Sequence, residues 1–318
     1  MMAGHADTFR GLKARRAWRR EVAFRAMRFL KNNDFRGAWR LREALRNGRS
    51  FLPPDGYVRC STLYGFDIIV RPLVDRGVEA QIFREGTYEE GTLAVIGSVL
   101  RPGDVFLDVG ANVGLMSLYA AKAVGERGSC HAFEPVSELA DMLELSKTIG
   151  GFDHLCIHRV GLGSVHEERQ IFAHDDINRG SSSFMDWHGR EQGKTAVIST
   201  MDQFVESTLQ AGGIRFVKID VEGWELEVLK GSTRVLSASN APGLCVEYSI
   251  LHPLEGGRHT DLYGVLRELG YAVFRLDRGK SASSKLRPVL NESELPQHDN
   301  LFAFKPAMLE SLEPGLFA

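Results

Sequence analysis

The chain reads Val105-Phe-Leu-Asp-Val-Gly-Ala-Asn-Val-Gly114 and continues directly as Leu115-Met-Ser-Leu-Tyr-Ala-Ala-Lys-Ala-Val124. The first half is an apolar run bounded by glycine, which predicts a strand buried on both faces. The second half has apolar residues three to four positions apart, which predicts a helix. Glycine at 110 and 114 permits a positive φ, and the helix start presents unpaired N–H groups. Strand, turn and helix together predict a loop that cradles a nucleotide.

The spacing of the glycines indicates which nucleotide this loop binds. A dinucleotide fingerprint requires G-x-G-x-x-G, but Asn112 and Leu115 stand where its second and third glycines belong. The observed pattern is Asp-x-Gly-x-x-x-Gly, which resembles the cofactor loop of Rossmann-like S-adenosylmethionine (SAM) methyltransferases. The alternative is an ordinary strand-to-helix connection. The cofactor residues predicted in this loop are Asp108, Gly110, Ala111, Asn112 and Gly114.

A second strand ends in an acid and supports a bound nucleoside. The run Ser129-Cys-His-Ala-Phe-Glu-Pro135 places Glu134 twenty residues after Gly114. A carboxylate at this point can accept both ribose hydroxyl protons, although NAD enzymes use the same device. Ligands of such sheets lie outside the carboxyl ends of the strands, so the turn after the third strand should reach the adenine. The further predicted cofactor contacts are Glu134, Pro135, Gly161 and Leu162.

The composition is ordinary for a globular protein, but the charge is unevenly distributed. The 318 residues are 43% hydrophobic and carry a net charge of −2. Residues 1–50 nevertheless hold fourteen Lys and Arg against four Asp and Glu. The four cysteines show no C-x-x-C spacing, which indicates a reduced, cytoplasmic protein. We find no 18-residue apolar run and no signal-peptide pattern, so neither a membrane span nor a signal peptide is expected.

The pattern divides the chain into three predicted parts. Residues 1–50 form a basic helical extension, residues 51–98 a hairpin and helix that cover the cofactor end, and residues 99–318 the SAM-binding domain. Three interpretations of the extension stay open. It docks on the catalytic domain or on another subunit of a homo-oligomer, it lies on an anionic membrane surface or holds an acidic substrate, or it binds nucleic acid. Nucleic acid is disfavoured because no stacking aromatics are interleaved with the charges.

From Val105 onward strands alternate with helices, which predicts an α/β domain with a mostly parallel, seven-stranded sheet. The last strand, 300–305, is expected to run antiparallel and to pair as a hairpin with its predecessor. Between about 165 and 198 the alternation lapses. A long polar connection inside a compact domain is typical of a functional loop, so residues 174–194 are predicted to form a substrate lid.

The second chemical centre is Ile214-Arg-Phe-Val-Lys-Ile-Asp-Val-Glu-Gly223. Strand side chains alternate, so Lys218, Asp220 and Glu222 would project to one side of a strand whose faces should both be apolar. Burying three charges costs several kcal/mol unless they are paired or functional. The alternative is a Lys–carboxylate pair that only stabilises the strand end.

The fifth strand also ends in an acid. The run Leu244-Cys-Val-Glu-Tyr248 belongs beside the fourth strand in this architecture. Glu247 would then face Asp220 at the strand tips, and His252 follows just beyond. The two strand ends together predict a cluster of ionisable groups next to the cofactor.

Five sequence blocks follow one another in a characteristic order. They are Arg101-Pro-Gly-Asp-Val-Phe-Leu-Asp-Val-Gly-Ala-Asn-Val-Gly114, Phe133-Glu-Pro135, Thr200-Met-Asp202, Phe216-Val-Lys-Ile-Asp-Val-Glu-Gly-Trp-Glu-Leu-Glu-Val-Leu-Lys-Gly231 and Val246-Glu247. This series resembles the FkbM family of SAM-dependent methyltransferases over about residues 85–305. The resemblance implies a Rossmann-like class I fold and O-methylation of polyketide hydroxyls or of sugars in glycans or glycolipids. It does not define the acceptor, and Trp224 stands where a small residue is common.

Methyl transfer to an alcohol requires help with a proton, because an alcohol is almost wholly protonated at neutral pH. We predict Asp220 and Glu247 near the methyl group, Glu222 and His252 as alternative bases, and Lys218 holding the carboxylates. In a variant of this hypothesis Asp220 and Glu247 bind Mg²⁺ through oxygen ligands.

Two other classes of function stay open. One is a nucleic-acid or protein methyltransferase that uses the basic N-terminus, although no Asn/Asp-Pro-Pro-aromatic tetrad follows the fourth strand. The other is a SAM-binding partner protein without catalysis.

Overall fold

The computed structural model describes residues 22, 26, 29–30, 35, 37–46, 55–175, 178–186, 193–209, 213–251 and 254–318. The chain divides into two compact units, residues 1–88 with 175–180 and residues 89–174 with 181–318. The predicted domain bounds at residues 50 and 98 stay predictions. Within the described ranges, no helix has both the length and the apolarity needed to cross a bilayer.

The first unit contains a short antiparallel strand pair. Its elements are α1 (Ala38–Arg46), β1 (Val58–Ser61), β2 (Asp67–Val70) and α2 (Val78–Glu85). The Thr62 hydroxyl donates a hydrogen bond of 2.7 Å to the Phe66 carbonyl, and Gly65 takes a φ of 77° between them. The predicted hairpin within residues 51–98 is therefore confirmed. Most of the predicted basic helical extension, residues 1–50, lies outside the described residues.

Twelve strands and eight α-helices follow residue 88 in the described part of the chain. The strands are β3 (Val105–Val109), β4 (Ser129–Phe133), β5 (Leu155–His158), β6 (Gly161–Leu162), β7 (Glu167–Asp175), β8 (Asn178–Ser183), β9 (Lys194–Ser199), β10 (Ile214–Ile219), β11 (Gly243–Ser249), β12 (Ala272–Leu276), β13 (Leu286–Pro288) and β14 (His298–Phe304). The helices are α3 (Glu90–Val99), α4 (Leu115–Val124), α5 (Ser137–Gly150), α6 (Met201–Thr208), α7 (Glu225–Lys230), α8 (Thr233–Ser237), α9 (His259–Glu268) and α10 (Pro306–Leu309).

The main sheet has the strand order β13-β12-β14-β11-β10-β3-β4-β5. Strands β5, β4, β3, β10 and β11 are parallel neighbours, and β14 runs antiparallel between β11 and β12. The predicted Rossmann-like fold with an antiparallel last strand is confirmed. The predicted number of seven strands is wrong, because residues 286–288 pair with β12 as an eighth strand. Three residues are too few to show a periodic pattern.

A second sheet of order β6-β9-β7-β8 occupies the region where the sequence alternation lapses. The prediction of one long lid loop over residues 174–194 is therefore wrong for residues 178–183, which form a strand. The run Asn-Arg-Gly-Ser-Ser-Ser has no apolar alternation, so its strand character comes from tertiary pairing. Residues 187–192 lie outside the described part of the chain.

The register of the sheet brings the two chemical centres together. Strand β3 pairs with β10 so that Asp108 lies beside Lys218. Immediately beyond, Gly110 has a φ of 81°, and a side chain on it would overlap the carbonyl oxygen of Asp220. Glycine is required here because only a residue without Cβ admits the neighbouring backbone at a positive φ.

We predict that Gly110→Ala lowers the free energy of unfolding by about 2 to 4 kcal/mol, since it combines an unfavourable φ with overpacking. Gly103→Ala is the matched control, because Gly103 has a φ of 97° with open space around it, and we expect it to cost only about 1 kcal/mol. Urea unfolding of both variants measures the difference. Equal losses would show that the backbone of Asp220 does not constrain this turn.

Candidate active site

The glycine turn after β3 is fastened to the end of β4 by Glu134. The backbone N–H groups of Asn112 and Val136 each donate a hydrogen bond of 2.8 Å to a different oxygen of this carboxyl. Glu134 is 5% exposed. Burial raises its pKa to about 7, and the two backbone hydrogen bonds oppose this shift. The carboxyl can still accept further hydrogen bonds through its remaining lone pairs, as a ribose would require.

Asp108 presents a free hydrogen-bond acceptor at the end of β3. Its Oδ2 accepts a hydrogen bond of 2.6 Å from the Ser117 hydroxyl, whereas Oδ1 is buried and has no hydrogen-bond partner among the described residues. The Lys218 ammonium lies 4.0 Å from Oδ1. Burial raises the pKa of Asp108, and Lys218 opposes this. A buried orphan acceptor beside a glycine turn fits a ligand that donates a hydrogen bond at this point.

Three carboxyl groups meet at the carboxyl ends of β10 and β11. Asp220, Glu222 and Glu247 each offer one oxygen, and these oxygens lie within 4.8 Å of one another. Lys218 Nζ donates a hydrogen bond of 2.8 Å to Asp220 Oδ2. These four predicted residues are thus brought together.

The strand alternation predicted to orient Glu222 is wrong. Strand β10 ends at Ile219, so Glu222 lies beyond it and reaches the cluster from a turn with a φ of 53°. Several hydrogen bonds hold this turn. Among them, the Ser183 hydroxyl donates to the Glu222 carbonyl at 2.7 Å, and the Val221 N–H donates to Glu225 Oε1 at 3.0 Å. The sequence offered a signal for Glu225, an acid in the first turn of α7, but none for Ser183.

The carboxyl groups of the cluster differ in their affinity for protons. For Asp220, burial raises the pKa, but the ammonium groups of Lys218 and Lys280 outweigh burial and lower it to about 2. Burial and then the charge of Asp220 raise the pKa of Glu222 to about 8. The same two causes raise the pKa of Glu247 well above its usual range. A charged carboxylate therefore lies beside two carboxyl groups that retain protons near neutral pH.

Further residues of the site were not predicted. Lys280 Nζ donates to Glu247 Oε1 at 2.9 Å and forms an ion pair of 3.0 Å with Glu89 Oε1. The Asn300 amide donates to Glu89 Oε2 at 3.0 Å. These residues come from segments far apart in sequence with no recognisable motif, so no pattern could have identified them.

Backbone strain is concentrated at this site. Among the described residues, the non-glycine residues with a positive φ are Glu89, Asn112 and Glu222. Such conformations cost about 1 to 3 kcal/mol each and persist where the surroundings impose them, typically at functional sites. All three are residues of the glycine turn or of the acid cluster and its ion pairs.

The structure places the remaining predicted residues in the turns after β3 and β4 or in the second sheet, and one lies outside the described ranges. Gly161 and Leu162 form β6 of the second sheet, and Leu162 is fully buried. Ala111 and Pro135 lie in the two turns that Glu134 joins. His252 is outside the described residues. Trp224 is only 2% exposed and packs against Phe184 with ring centroids 5.7 Å apart, so it belongs to the core.

The strand order, the glycine turn after β3 and the acid after β4 define a Rossmann-like, class I SAM-dependent methyltransferase domain. The profile of the methyltransferase FkbM domain matches residues 108–273, which is just over half of the chain. The chain therefore belongs to this family, and SAM is its cofactor. The buried orphan acceptor on Asp108, beside the glycine turn, fits such a cofactor.

Individual relatives are more distant. The AMB antimetabolite synthetase AmbE of Pseudomonas aeruginosa is 24% identical over 212 residues, covering 56% of this chain and 10% of the synthetase. The chain thus spans about a tenth of the length of that curated relative. A putative rRNA-methylase from Clostridium thermocellum gives a TM-score of 0.40 at 11% identity, covering 67% of this chain and 92% of the other. A SAM-dependent O-methyltransferase from Thermotoga maritima gives a TM-score of 0.38 at 14% identity, and the match covers 82% of this chain and 97% of the other.

We predict that the free energy of unfolding falls as the pH rises from about 5 to 8. A carboxyl whose pKa is raised on folding stabilises the protein below its unfolded pKa and loses this effect as the pH passes the folded pKa. Because Glu222 has its pKa raised to about 8, Glu222→Gln should flatten this fall. The exposed Glu126 provides the control variant Glu126→Gln. Urea unfolding at several pH values measures the slopes, and identical slopes for both variants would contradict the prediction.

Proposed function

We propose that this domain transfers the methyl group of SAM to a hydroxyl group of a sugar or of a polyketide-like small molecule. The observation that carries the proposal is the acid cluster of Asp220, Glu222 and Glu247, whose oxygens lie within 4.8 Å of one another. The cluster adjoins the cofactor turn, since the Asp220 carbonyl packs on Gly110. Carboxyl groups would thus stand next to the methyl donor when SAM occupies this turn, which is the arrangement that an alcohol acceptor requires.

The chain contributes positioning and proton transfer. When bound, SAM supplies an electrophilic methyl group, so that the sulfur–methyl bond breaks as the oxygen–methyl bond forms. We assign Asp220 as the group that accepts the hydrogen bond of the acceptor hydroxyl and aligns its oxygen. Lys218 keeps Asp220 ionised through the hydrogen bond of 2.8 Å. The hydroxyl proton is then accepted by Glu222 or Glu247 in the molecules in which that carboxyl is ionised, and its raised pKa makes the ionised form a stronger base than Asp220.

The charge of the site supports an uncharged acceptor. Seven acids lie in or beside it, namely Glu89, Asp108, Glu134, Asp220, Glu222, Glu225 and Glu247. Among the described residues, two lysines, Lys218 and Lys280, form ion pairs with these acids. Because Glu222 and Glu247 retain their protons near neutral pH, the remaining acids and the two lysines leave no excess of positive charge that would attract a polyanion such as nucleic acid. The name of the relative AmbE, an antimetabolite synthetase, also supports a small-molecule acceptor.

We further propose that the two lysines, rather than Mg²⁺, balance the charge of Asp220 and Glu247. Each carboxyl already receives a lysine hydrogen bond, of 2.8 and 2.9 Å respectively. A divalent cation prefers several free oxygen ligands, and these ammonium groups compete with it electrostatically. The chelator EDTA should therefore leave turnover unchanged.

We predict that Asp220→Asn lowers turnover by about 10²-fold or more, the usual contribution of a group that handles a proton, while the affinity for SAM changes little. Turnover is measured with glycans, glycolipids and polyketide-like alcohols, with RNA as the competing acceptor, and SAM binding by calorimetry. Asp141→Asn, on the surface helix α5, is the control and should retain activity. Unchanged turnover in Asp220→Asn would remove the assignment, and methylation of RNA alone would remove the acceptor class.

A further inference from the structure

We propose that Lys280 is a positioning residue for this methyl transfer, which holds Glu247 in place and sets how readily the acid cluster gives up its protons. The proposal rests on the proposed function, because it concerns the same site. Lys280 lies after β12, outside the family match that ends at residue 273. Neither this match nor the five sequence blocks that carry the family resemblance include Lys280, so neither gives it a role.

The side chain of Lys280 bridges two buried carboxyl groups. Its Nζ lies 2.9 Å from Glu247 Oε1 and 3.0 Å from Glu89 Oε1, and the lysine side chain is only 12% exposed. We call this arrangement the Glu89–Lys280–Glu247 bridge. A buried ammonium is stable only when it is paired and hydrogen-bonded. The bridge thus supplies positive charge directly at Glu247.

The backbone of Lys280 is anchored on both sides. Its N–H donates to Asp299 Oδ1 at 2.8 Å, and its carbonyl accepts a hydrogen bond of 2.9 Å from the Gly91 N–H at the start of α3. A Cβ on Gly91 would lie 2.8 Å from the Ala282 carbonyl oxygen, so glycine permits this close approach of the two segments. The ammonium group is therefore held in place by its backbone as well as by its ion pairs.

The far end of the bridge is also fixed. Glu89 is 3% exposed and takes a φ of 47°. Its Oε2 accepts hydrogen bonds of 3.0 Å from the Thr92 hydroxyl and 3.0 Å from the Asn300 amide. Glu89, like Lys280, lies outside residues 108–273, so segments beyond the family match complete the charge balance of the site.

Several charged or ionisable groups act on Glu247 besides Lys280. They are Asp220, Glu222, Glu225 and His298, whose Nδ1 lies 4.0 Å from Glu247 Oε1. The three carboxyl groups raise the pKa of Glu247, whereas Lys280 lowers it. Lys280 also lowers the pKa of Asp220. Removing the ammonium group therefore makes loss of a proton from the Asp220–Glu247 pair more difficult.

The test compares pH profiles of kcat and kcat/KM for methyl transfer. In Lys280→Met, kcat should fall at neutral pH, and the acidic limb of both profiles should move up by about 1 pH unit, with SAM affinity nearly unchanged. Lys280→Arg should return the limb towards its original position. Lys285→Met is the matched control, since it removes an exposed lysine of the same segment, and its limb should not move. A loss of rate with an unmoved limb in Lys280→Met would overturn the proposal.

Glu89→Gln tests the bridge in the opposite direction and covers a failure of Lys280→Met to fold. When Glu89 is neutral, the ammonium group of Lys280 is no longer shared and acts on Glu247 alone. The acidic limb of the pH profiles should therefore move to lower pH. An upward shift or no shift would contradict the bridge.

A measurement independent of turnover separates the two proposals. The titration of ¹³C-labelled glutamate carboxyls by NMR, with Glu247 assigned through Glu247→Gln, should show a higher midpoint for Glu247 in Lys280→Met and a lower one in Glu89→Gln. Shifted midpoints in a protein that methylates no hydroxyl would refute the proposed function and retain the bridge. An active enzyme with unshifted midpoints would refute the bridge alone.

Discussion

The ammonium group of Lys218 is the interaction on which the site depends. It lies 2.8 Å from an oxygen of Asp220 and 4.0 Å from an oxygen of Asp108, and its side chain is 5% exposed. Burial alone lowers the pKa of Lys218, but the carboxylates of Asp220, Asp108 and Glu89 outweigh burial and raise it above the usual value. A buried charge remains stable only with its partners in place. Lys218 therefore holds the ends of β3 and β10 together, and with them the cofactor turn and the acid cluster.

The chemistry of the cluster follows from unequal surroundings of similar side chains. Asp220 receives a hydrogen bond from Lys218 at 2.8 Å and stays ionised, whereas burial and the charge of Asp220 raise the pKa of Glu222 to about 8. Neighbouring acids whose proton affinities are driven apart can divide the tasks of aligning a hydroxyl and receiving its proton. Burial and the placement of two lysines, rather than the identity of the acids, produce this division.

The pattern of apolar residues along the chain predicted those residues of the site that lie near the ends of strands. Asp108, Gly110, Glu134 and Glu247 lie at or just after the ends of apolar strands, so periodicity placed them at strand ends and the fold placed the strand ends together. Ser183 reaches Glu222 from a strand with no apolar alternation, and Lys280 reaches Glu247 from an irregular segment. Contacts of this kind depend on tertiary packing, which a single sequence does not reveal. The eighth strand was not predicted for a related reason: its three residues are extended because they pair with β12.

The insertion of β14 between β11 and β12 has a consequence for biosynthesis. This strand is the last of the sheet along the chain, yet it pairs with β11 so that Asn300 stands opposite Glu247. As the ribosome extends the chain, the cofactor turn and the acids are complete well before this strand emerges, and β11 keeps an unpaired edge until then. The reaction centre of the nascent domain is therefore complete only when residues near 304 have been added. Until then the exposed edge of β11 is a place where a growing chain can mispair. Catalytic competence is thus acquired only after the residues of β14 have been synthesised, rather than gradually along the domain.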